Sequence, residues 1–488
     1  MSLQLKDASL LKTQAYINGQ WVAADNGSTF EVKNPANGEV IASVASVGAT
    51  ETRRAIEAAD KAMASWKVLP AKTRANILRK WYDLIMANVE DLAIIMTVEQ
   101  GKLLKESRME VNYGASFIEW FAEESKRIYG DVIPSPFSDR RQIVIKQPVG
   151  VVAAVTPWNF PNAMITRKAG PALAAGCTIV IKPASETPLS ALALAELAHR
   201  AGIPAGVLNI VPGKSSREIG GELTSNPIVR KFTFTGSTPV GKSLLEQCAK
   251  TVKKVSMELG GNAPVIVFDD ADLDKAVAGA LASKYRNSGQ TCICVNRVLV
   301  QEGIFDAFAK KFAEEVSKFK VGNGLNEDMT MGPLVNEKAA GDMDALVQDA
   351  ISKGATVLTG GKASSEGACF YQPTVLTNIS KEMRVAREEI FGPIAPIFKF
   401  KTEAEAIAMA NDTEFGLASY VYTRDVGRVW RVAEGIEYGM VGVNEVGITN
   451  DAIPFGGVKE SGLGREGSKY GIDDYLEIKY ICMGGLSE

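Results

Sequence analysis

The chain has 488 residues, 46% of them apolar and 23% charged, with a formal net charge of −3. That length exceeds one ordinary hydrophobic core, so two or three domains are expected, and the composition is globular rather than disordered. There is no basic excess to bind nucleic acid or an anionic membrane, and one histidine cannot supply a histidine-rich zinc site.

That histidine, His199, sits in ALAELAHRAGIP, a helical pattern running into a Gly-Pro stop, and reads as a helix-surface residue. Ser-His-Asp triads and Cys-His pairs are therefore hard to build, and any acid–base chemistry falls to a carboxylate. The six cysteines (177, 248, 292, 294, 369, 482) are too sparse for a disulfide framework and form no CxxC pair. With no signal-like apolar core in MSLQLKDASLLK and no run of eighteen apolar residues, a reducing cytoplasmic location is expected.

In chain order, AYINGQWVAA and NPANGEVIASV each carry an Asn-Gly turn between apolar runs, which predicts two hairpins. From about 48 to 128 the pattern is helical, with Ile77, Leu78, Trp81, Leu84 and Ile85 at helical spacing and no evident chemistry. RRQIVIKQ (140–147) and the tail DYLEIKYICM alternate as strands do. Such marginal strands are a liability unless paired, so they read as a subunit contact, the alternative being that each caps its own subunit's sheet.

From 151 to 268 the apolar runs VVAAV, CTIVIK, VLNIV, KFTFTG and PVIVF alternate with helical segments, which predicts a parallel sheet of dinucleotide-binding type. GxGxxG is absent; instead Gly236–Gly241 (GSTPVG) follows the strand KFTFT and opens a helix, whose free N–H groups and dipole suit a pyrophosphate. A second α/β region follows, with Phe305, Phe308, Phe312 and Val316 on one helix face and strand–turn patterns in FYQPTVL and EEIFGPIAPIFKF.

The candidate nucleophile is Cys292, in RNSGQTCIC (286–294), where a small, turn-prone run bends tightly and presents a thiol. Asn159 follows the first buried strand in TPWNFP, Glu258 lies in MELGGNAP, and Glu389 and Phe391 lie in EEIFGP. With these segments, and with FTGSTPVG and PFGGVKESGLGREG in order, the chain resembles the aldehyde dehydrogenase superfamily over essentially its full length.

The resemblance implies an α/β fold of three parts. A dinucleotide-binding domain spans 1–130 and 150–258, a catalytic domain 259–468, and a small β oligomerisation arm 131–149 and 469–488. It implies that Cys292 attacks an aldehyde, that the Asn159 amide and the Cys292 N–H hold the oxyanion, and that hydride transfer to a nicotinamide leaves a thioester. Glu258 then activates the hydrolytic water; the alternative for Glu258 is a surface pair with Lys253 or Lys254. For the cofactor it implies Thr156, Trp158, Lys182, Ser185, Gly236, Ser237, Gly241, Glu389 and Phe391. Ser185 stands where many NAD-preferring members carry a glutamate that repels a 2′-phosphate, so NADP is expected, with NAD as a second cofactor.

Arg167 and Arg286 resemble the positions at which succinate-semialdehyde dehydrogenases hold the far carboxylate of the substrate. Thr449 stands in place of the serine of that branch, which leaves succinic and glutaric semialdehyde both open as the ω-carboxy aldehyde. The alternative for either arginine is an internal salt bridge with a glutamate. Cys294 is read either as the partner of Cys292 in a redox-switch disulfide or as a small side chain packing under the loop. A homotetramer is implied, with a dimer as the alternative. The competing activity is a Cys-Glu hydrolase that needs no dinucleotide; a non-catalytic relative is expected to lack one of Cys292, Glu258 and Asn159, and all are present.

Overall fold

Four sheets organise residues 3–486, the part of the chain that the computed structural model describes; the ends of the expected first and last segments (1–2 and 487–488) lie outside it. Both Asn-Gly signals are hairpins. Asn18 and Gly19 take φ of 52° and 76° between the antiparallel strands Ala15–Ile17 and Gln20–Val22, the mirror-image turn that fits strand twist. Gly38 (φ 74°) lies in the connection between Thr29–Lys33 and Val40–Ala45. The helices Ala49–Trp66, Ala71–Ala87, Val89–Gln100 and Leu104–Glu124 follow, with Leu78, Trp81 and Ile85 fully buried.

The first sheet is built on five parallel strands, Val151–Val155, Thr178–Lys182, Leu208–Ile210, Val229–Thr235 and Lys254–Glu258. Their spatial order is fifth, fourth, first, second, third, so the winding reverses between the first and the fourth. In such a doubly wound sheet a ligand binds beyond the carboxyl ends of the strands at that reversal. TPWNFP leaves the first strand there and GSTPVG leaves the fourth, opening the helix Thr238–Ala249.

One part of the βαβ expectation is corrected. PVIVF does not belong to this sheet: Ala263–Val267 is a central strand of the second, and the fifth strand is the less apolar Lys254–Glu258. An apolar run reports burial but not which sheet buries it, and the Gly-Gly link at 259–262 carries the chain from one sheet to the other.

The second sheet runs Thr356–Thr359, Thr374–Thr377, Ile394–Phe400, Val295–Gln301, Ala263–Val267, Ala418–Tyr422, Met440–Val443, all parallel except the first, which is antiparallel at an edge. The helix Phe305–Val316 buries its three phenylalanines and Val316 against it. The marginal strands pair with each other. Arg141–Pro148 runs antiparallel to Leu476–Met483 along eight residues, with Asp131–Ile133 on the far side. This small sheet leaves Ile478 (73%) and Tyr480 (55%) exposed. Gly462–Leu463, expected within the catalytic segment, instead edges the first sheet beside Lys254–Glu258. Among the described residues no helix is long and apolar enough to cross a membrane.

Candidate active site

The link at 259–262 joins the carboxyl end of a strand in one sheet to the amino end of a strand in the other, so the two strand ends face a common space. Glu258 is the last residue of its strand, and Cys292 lies three residues before Val295–Gln301. Gly261 passes so close to the cysteine loop that a Cβ there would stand 2.5 Å from the Cys292 carbonyl oxygen. At Gly260 a Cβ would stand 2.7 Å from the Glu389 carboxylate, which accepts the Gly261 N–H at 3.0 Å. Glycine is required at Gly261 by close backbone approach, and at Gly260 it leaves room for the Glu389 carboxylate.

The run before Cys292 is strained. Asn287 (φ 50°), Ser288 (φ 57°) and Gly289 (φ 78°) are all left-handed, a conformation that persists only where neighbours over-determine it. Here the Asn287 N–H donates to Glu106 (2.8 Å), Ser288 Oγ to the Gly332 carbonyl (2.8 Å), and Gln290 Nε2 to the Asn287 carbonyl (3.0 Å). The thiol itself is partly exposed. Burial first, and then the Glu389 carboxylate, push its pKa up to about 12, with Glu258 adding and Arg167 and Arg286 opposing. At neutral pH it therefore rests as a thiol and needs a base.

Glu258 is 3% exposed, and its Oε2 has no hydrogen-bond partner. Burial and the neighbouring Glu466 hold its pKa well above the ordinary carboxylate range, against Arg167, Lys168 and Arg465. The lysine pair weighed for it is not formed: Lys253 Nζ donates to the Asn226 carbonyl and Lys254 Nζ to the Leu476 carbonyl. Asn159 is buried, with its Nδ2 donating to the Gln290 carbonyl at 3.1 Å. An amide nitrogen carries two hydrogens, so a second donor remains. Cys294 Sγ lies 3.4 Å from the carbonyl oxygens of Lys284 and Val295, which is the packing arrangement under the loop.

Two clefts reach residues that flank Asn159 and the cysteine loop, and they share no lining residue. One, of about 420 Å³, is lined by Trp158, Gln290, Glu389 and Phe391. Trp158 and Phe391 stand edge to face at 5.5 Å, and burial pushes Glu389 up to about 7. Further along the reversal, the Thr156 N–H donates to the Lys182 carbonyl. Among the described residues, buried Lys182 gives its ammonium only to the Pro183 carbonyl at 3.2 Å, so it has donors to spare. Ser185 Oγ donates to Glu186 at 3.1 Å, a carboxylate that sequence reasoning passed over. The Gly236 N–H donates to the Glu258 carbonyl, Ser237 is exposed and makes no side-chain cap, and Gly241 packs against Leu259. The first turn of Thr238–Ala249 thus keeps free N–H groups, which together with the unspent Lys182 fits a dinucleotide.

The other cleft, of about 830 Å³, is lined by Tyr113, Phe160, Arg286 and Thr449 among others. The Arg286 guanidinium lies 5.2 Å from the Phe160 ring, and no carboxylate among the described residues pairs with it. Arg167 is different. It is 2% exposed, stacks 4.0 Å over the Phe455 ring, and has Nη2 2.9 Å from Glu466, so the internal salt bridge weighed for it is formed. Tyr113 lines this cleft with Arg286 and Thr449: burial raises the pKa of its hydroxyl, and Arg167, Arg286 and Thr449 oppose the rise.

Tyr113, like Glu106 and Glu110, comes from the helix Leu104–Glu124, which showed no chemistry in the sequence. The three share one face at i, i+4 and i+7, and that polar face on a core-packed helix is the signal that could have found them.

The sequence model of the aldehyde dehydrogenase family matches residues 21–481. The chain is 64% identical over 484 residues to glutarate-semialdehyde dehydrogenase of Pseudomonas aeruginosa, covering 99% of this chain and 100% of that one. It is 62% identical over 482 residues to succinate-semialdehyde dehydrogenase [NADP(+)] of Escherichia coli, again covering 99% and 100%. The crystal structure of succinate-semialdehyde dehydrogenase from Burkholderia pseudomallei superposes with a TM-score of 0.97 at 60% identity, covering 99% of this chain and 100% of that one. The chain belongs to the aldehyde dehydrogenase family.

Proposed function

We propose that this protein oxidises an ω-carboxy aldehyde, succinic or glutaric semialdehyde, to the dicarboxylic acid, with NADP as the favoured cofactor and NAD also accepted. The observation that carries it is Arg286, a guanidinium left without a carboxylate in the 830 Å³ cleft beside Thr449 and Tyr113. A planar bidentate donor there matches the far carboxylate of such a substrate. Arg167, already held by Glu466, adds positive field rather than forming half of the clamp. The names of the relatives, glutarate- and succinate-semialdehyde dehydrogenase, support the same substrate class.

The chemistry follows from the centre's own residues. Glu258, a carboxylate made more basic by its burial, takes the Cys292 proton at its unpartnered Oε2. The sulfur attacks the aldehyde carbon to give a thiohemiacetal, whose oxyanion is met by Asn159 Nδ2 and the Cys292 N–H; one such donor is worth ~2.7–4 kcal/mol. When bound, the nicotinamide nucleotide supplies the hydride acceptor. Glu389, Trp158 and Phe391 line the cleft for its nicotinamide end, Lys182 and Ser185 face its adenosine end, and the helix start at Gly236 and Ser237 takes phosphate. Ser185 supports NADP because its hydroxyl, on turning away from Glu186, can donate to a 2′-phosphate beside Lys182, and the relative from Escherichia coli is named for NADP(+). Glu258 then removes a proton from the water that hydrolyses the thioester.

The paired strands Arg141–Pro148 and Leu476–Met483, with exposed Ile478 and Tyr480, serve as the surface through which copies form a homotetramer. Six free cysteines fit a reducing cytoplasmic location. The deciding experiment compares succinic semialdehyde, glutaric semialdehyde and butanal with NADP+ and NAD+ in wild type and Arg286→Ala. Loss of a desolvated charge partner costs ~2–5 kcal/mol, so kcat/KM for the acidic aldehydes should fall at least about 30-fold while butanal changes little. An equal loss on butanal, or a hundredfold preference for NAD+, overturns the corresponding part of the proposal.

A further inference from the structure

We infer that the start of the helix Leu104–Glu124 holds the two halves of the oxyanion site in register, Glu106 acting on the cysteine loop and the buried Lys102–Glu110 pair on the Asn159 segment. The inference deepens the proposed chemistry at Cys292 and rests on it. The two oxyanion donors come from different sheets: Asn159 follows a strand of the first, and Cys292 precedes a strand of the second. No ladder of sheet hydrogen bonds therefore sets their spacing; the two direct bonds between the segments, Asn159 Nδ2 to the Gln290 carbonyl and Asn287 Nδ2 to the Asn159 carbonyl, are braced by a third element that touches both.

This helix touches both. Glu106 Oε1 accepts the Asn287 N–H at 2.8 Å, while Asn287 Nδ2 donates to the Asn159 carbonyl at 3.0 Å. That same carbonyl accepts Lys102 Nζ at 2.7 Å. Lys102 is ion-paired with Glu110, both side chains are buried, and the ammonium sits 4.0 Å over the Phe160 ring. The other oxygen of Glu110 accepts the N–H groups of Asn162 (2.9 Å) and Ala163 (3.2 Å), where the helix Ala163–Ala175 begins. Asn159 is thus gripped by its own carbonyl and by the residues that follow it, and its Nδ2 reaches the Gln290 carbonyl two residues before Cys292. Glu106 and Glu110 are one turn apart on one face, so a single rigid helix fixes both contacts. A buried ion pair is weak evidence for stability, since an apolar pair of similar volume often serves as well, and this one holds the backbone of a residue that meets the reacting oxygen.

The test assays Lys102→Met, Glu110→Leu and the double variant with NADP+ on both succinic semialdehyde and butanal, together with thermal midpoints. Because misplacement of a reacting group by about 1 Å costs ~10²-fold, Lys102→Met should lower kcat by about that factor, equally on the two aldehydes, with the KM for NADP+ unchanged. In the double variant the thermal midpoint should return towards wild type while kcat stays low. Glu106→Ala should lose kcat, and Glu106→Gln, whose amide oxygen still accepts the Asn287 N–H, should keep it. A double variant that recovers kcat with its stability reduces the pair to a structural role and overturns the inference, as does a Glu106→Gln variant as impaired as Glu106→Ala. Absence of any preference for the acidic aldehyde in wild type removes the substrate proposal alone, because the butanal series still reads the oxyanion site.

Discussion

Cys292 rests as a thiol near neutral pH because burial and the Glu389 carboxylate oppose its charge, and burial and Glu466 raise the pKa of the Glu258 carboxyl well above the ordinary carboxylate range. The reactive thiolate, formed once the Cys292–Glu258 pair has given up one proton, is therefore a minority species whose population grows with pH. We expect kcat/KM to rise through neutrality towards alkaline pH, a rise that a pH–rate profile reads directly. Glu258→Gln keeps the shape of the side chain and removes the base. It should slow both the attack of Cys292 and the hydrolysis of the thioester, so turnover falls about 10²-fold or more with no burst of NADPH, since general base catalysis typically contributes ~10²–10⁴-fold. A full burst of one NADPH per active site would confine the role of Glu258 to hydrolysis instead. Residue identity made this much readable in the sequence, because a thiol, an amide and a carboxylate in ordered motifs name their own chemistry. The pairing of Arg167 with Glu466 was not readable, because three hundred residues separate partners that only the fold brings to 2.9 Å.

The tight loop before Cys292 shows how an element can be legible and yet incompletely understood. Its small residues predicted a bend, but the sequence could not say that Asn287, Ser288 and Gly289 would all be left-handed, since asparagine and serine adopt that conformation only under duress. At Gly289 the φ of 78° combines with a Cβ path blocked by the Gly392 carbonyl. Gly289→Val should therefore lower the thermal midpoint by several degrees, more than the ~1–2 kcal/mol of a left-handed residue alone, and should depress kcat further than KM. Calorimetry and steady-state rates check both. Strand runs were equally legible as strands and equally silent about membership: PVIVF read as a further parallel strand and is one, but of the other sheet. The helix Leu104–Glu124 was legible only as core, because periodicity weighs its apolar stripe and is blind to what Glu106, Glu110 and Tyr113 meet.

At the scale of the whole molecule, burying carboxyl groups between the sheets ties stability to pH. Burial raises Glu389 from the ordinary 4.5 to about 7. A carboxyl held above its unfolded value favours the folded state while it is protonated, so its contribution is complete below pH 4.5 and is lost as the pH rises through about 7. The sign is opposite to that of a salt-bridged carboxylate. Glu389→Gln should accordingly be no less stable than wild type at pH 8, and the difference between the two should narrow towards pH 5, as denaturant titrations at the two pH values would reveal; a gap that widens on acidification contradicts the assignment.

The two clefts carry a last consequence. Trp158 and Gln290 line one, Phe160 and Arg286 line the other, and Asn159 sits in the chain between Trp158 and Phe160. With the nucleotide proposed for the one cleft and the organic acid for the other, traffic uses separate doors, and neither has to wait for the other to clear the threshold. Dicarboxylate product added at the outset should slow the enzyme without competing against NADP+, and raising the nucleotide concentration should fail to relieve it.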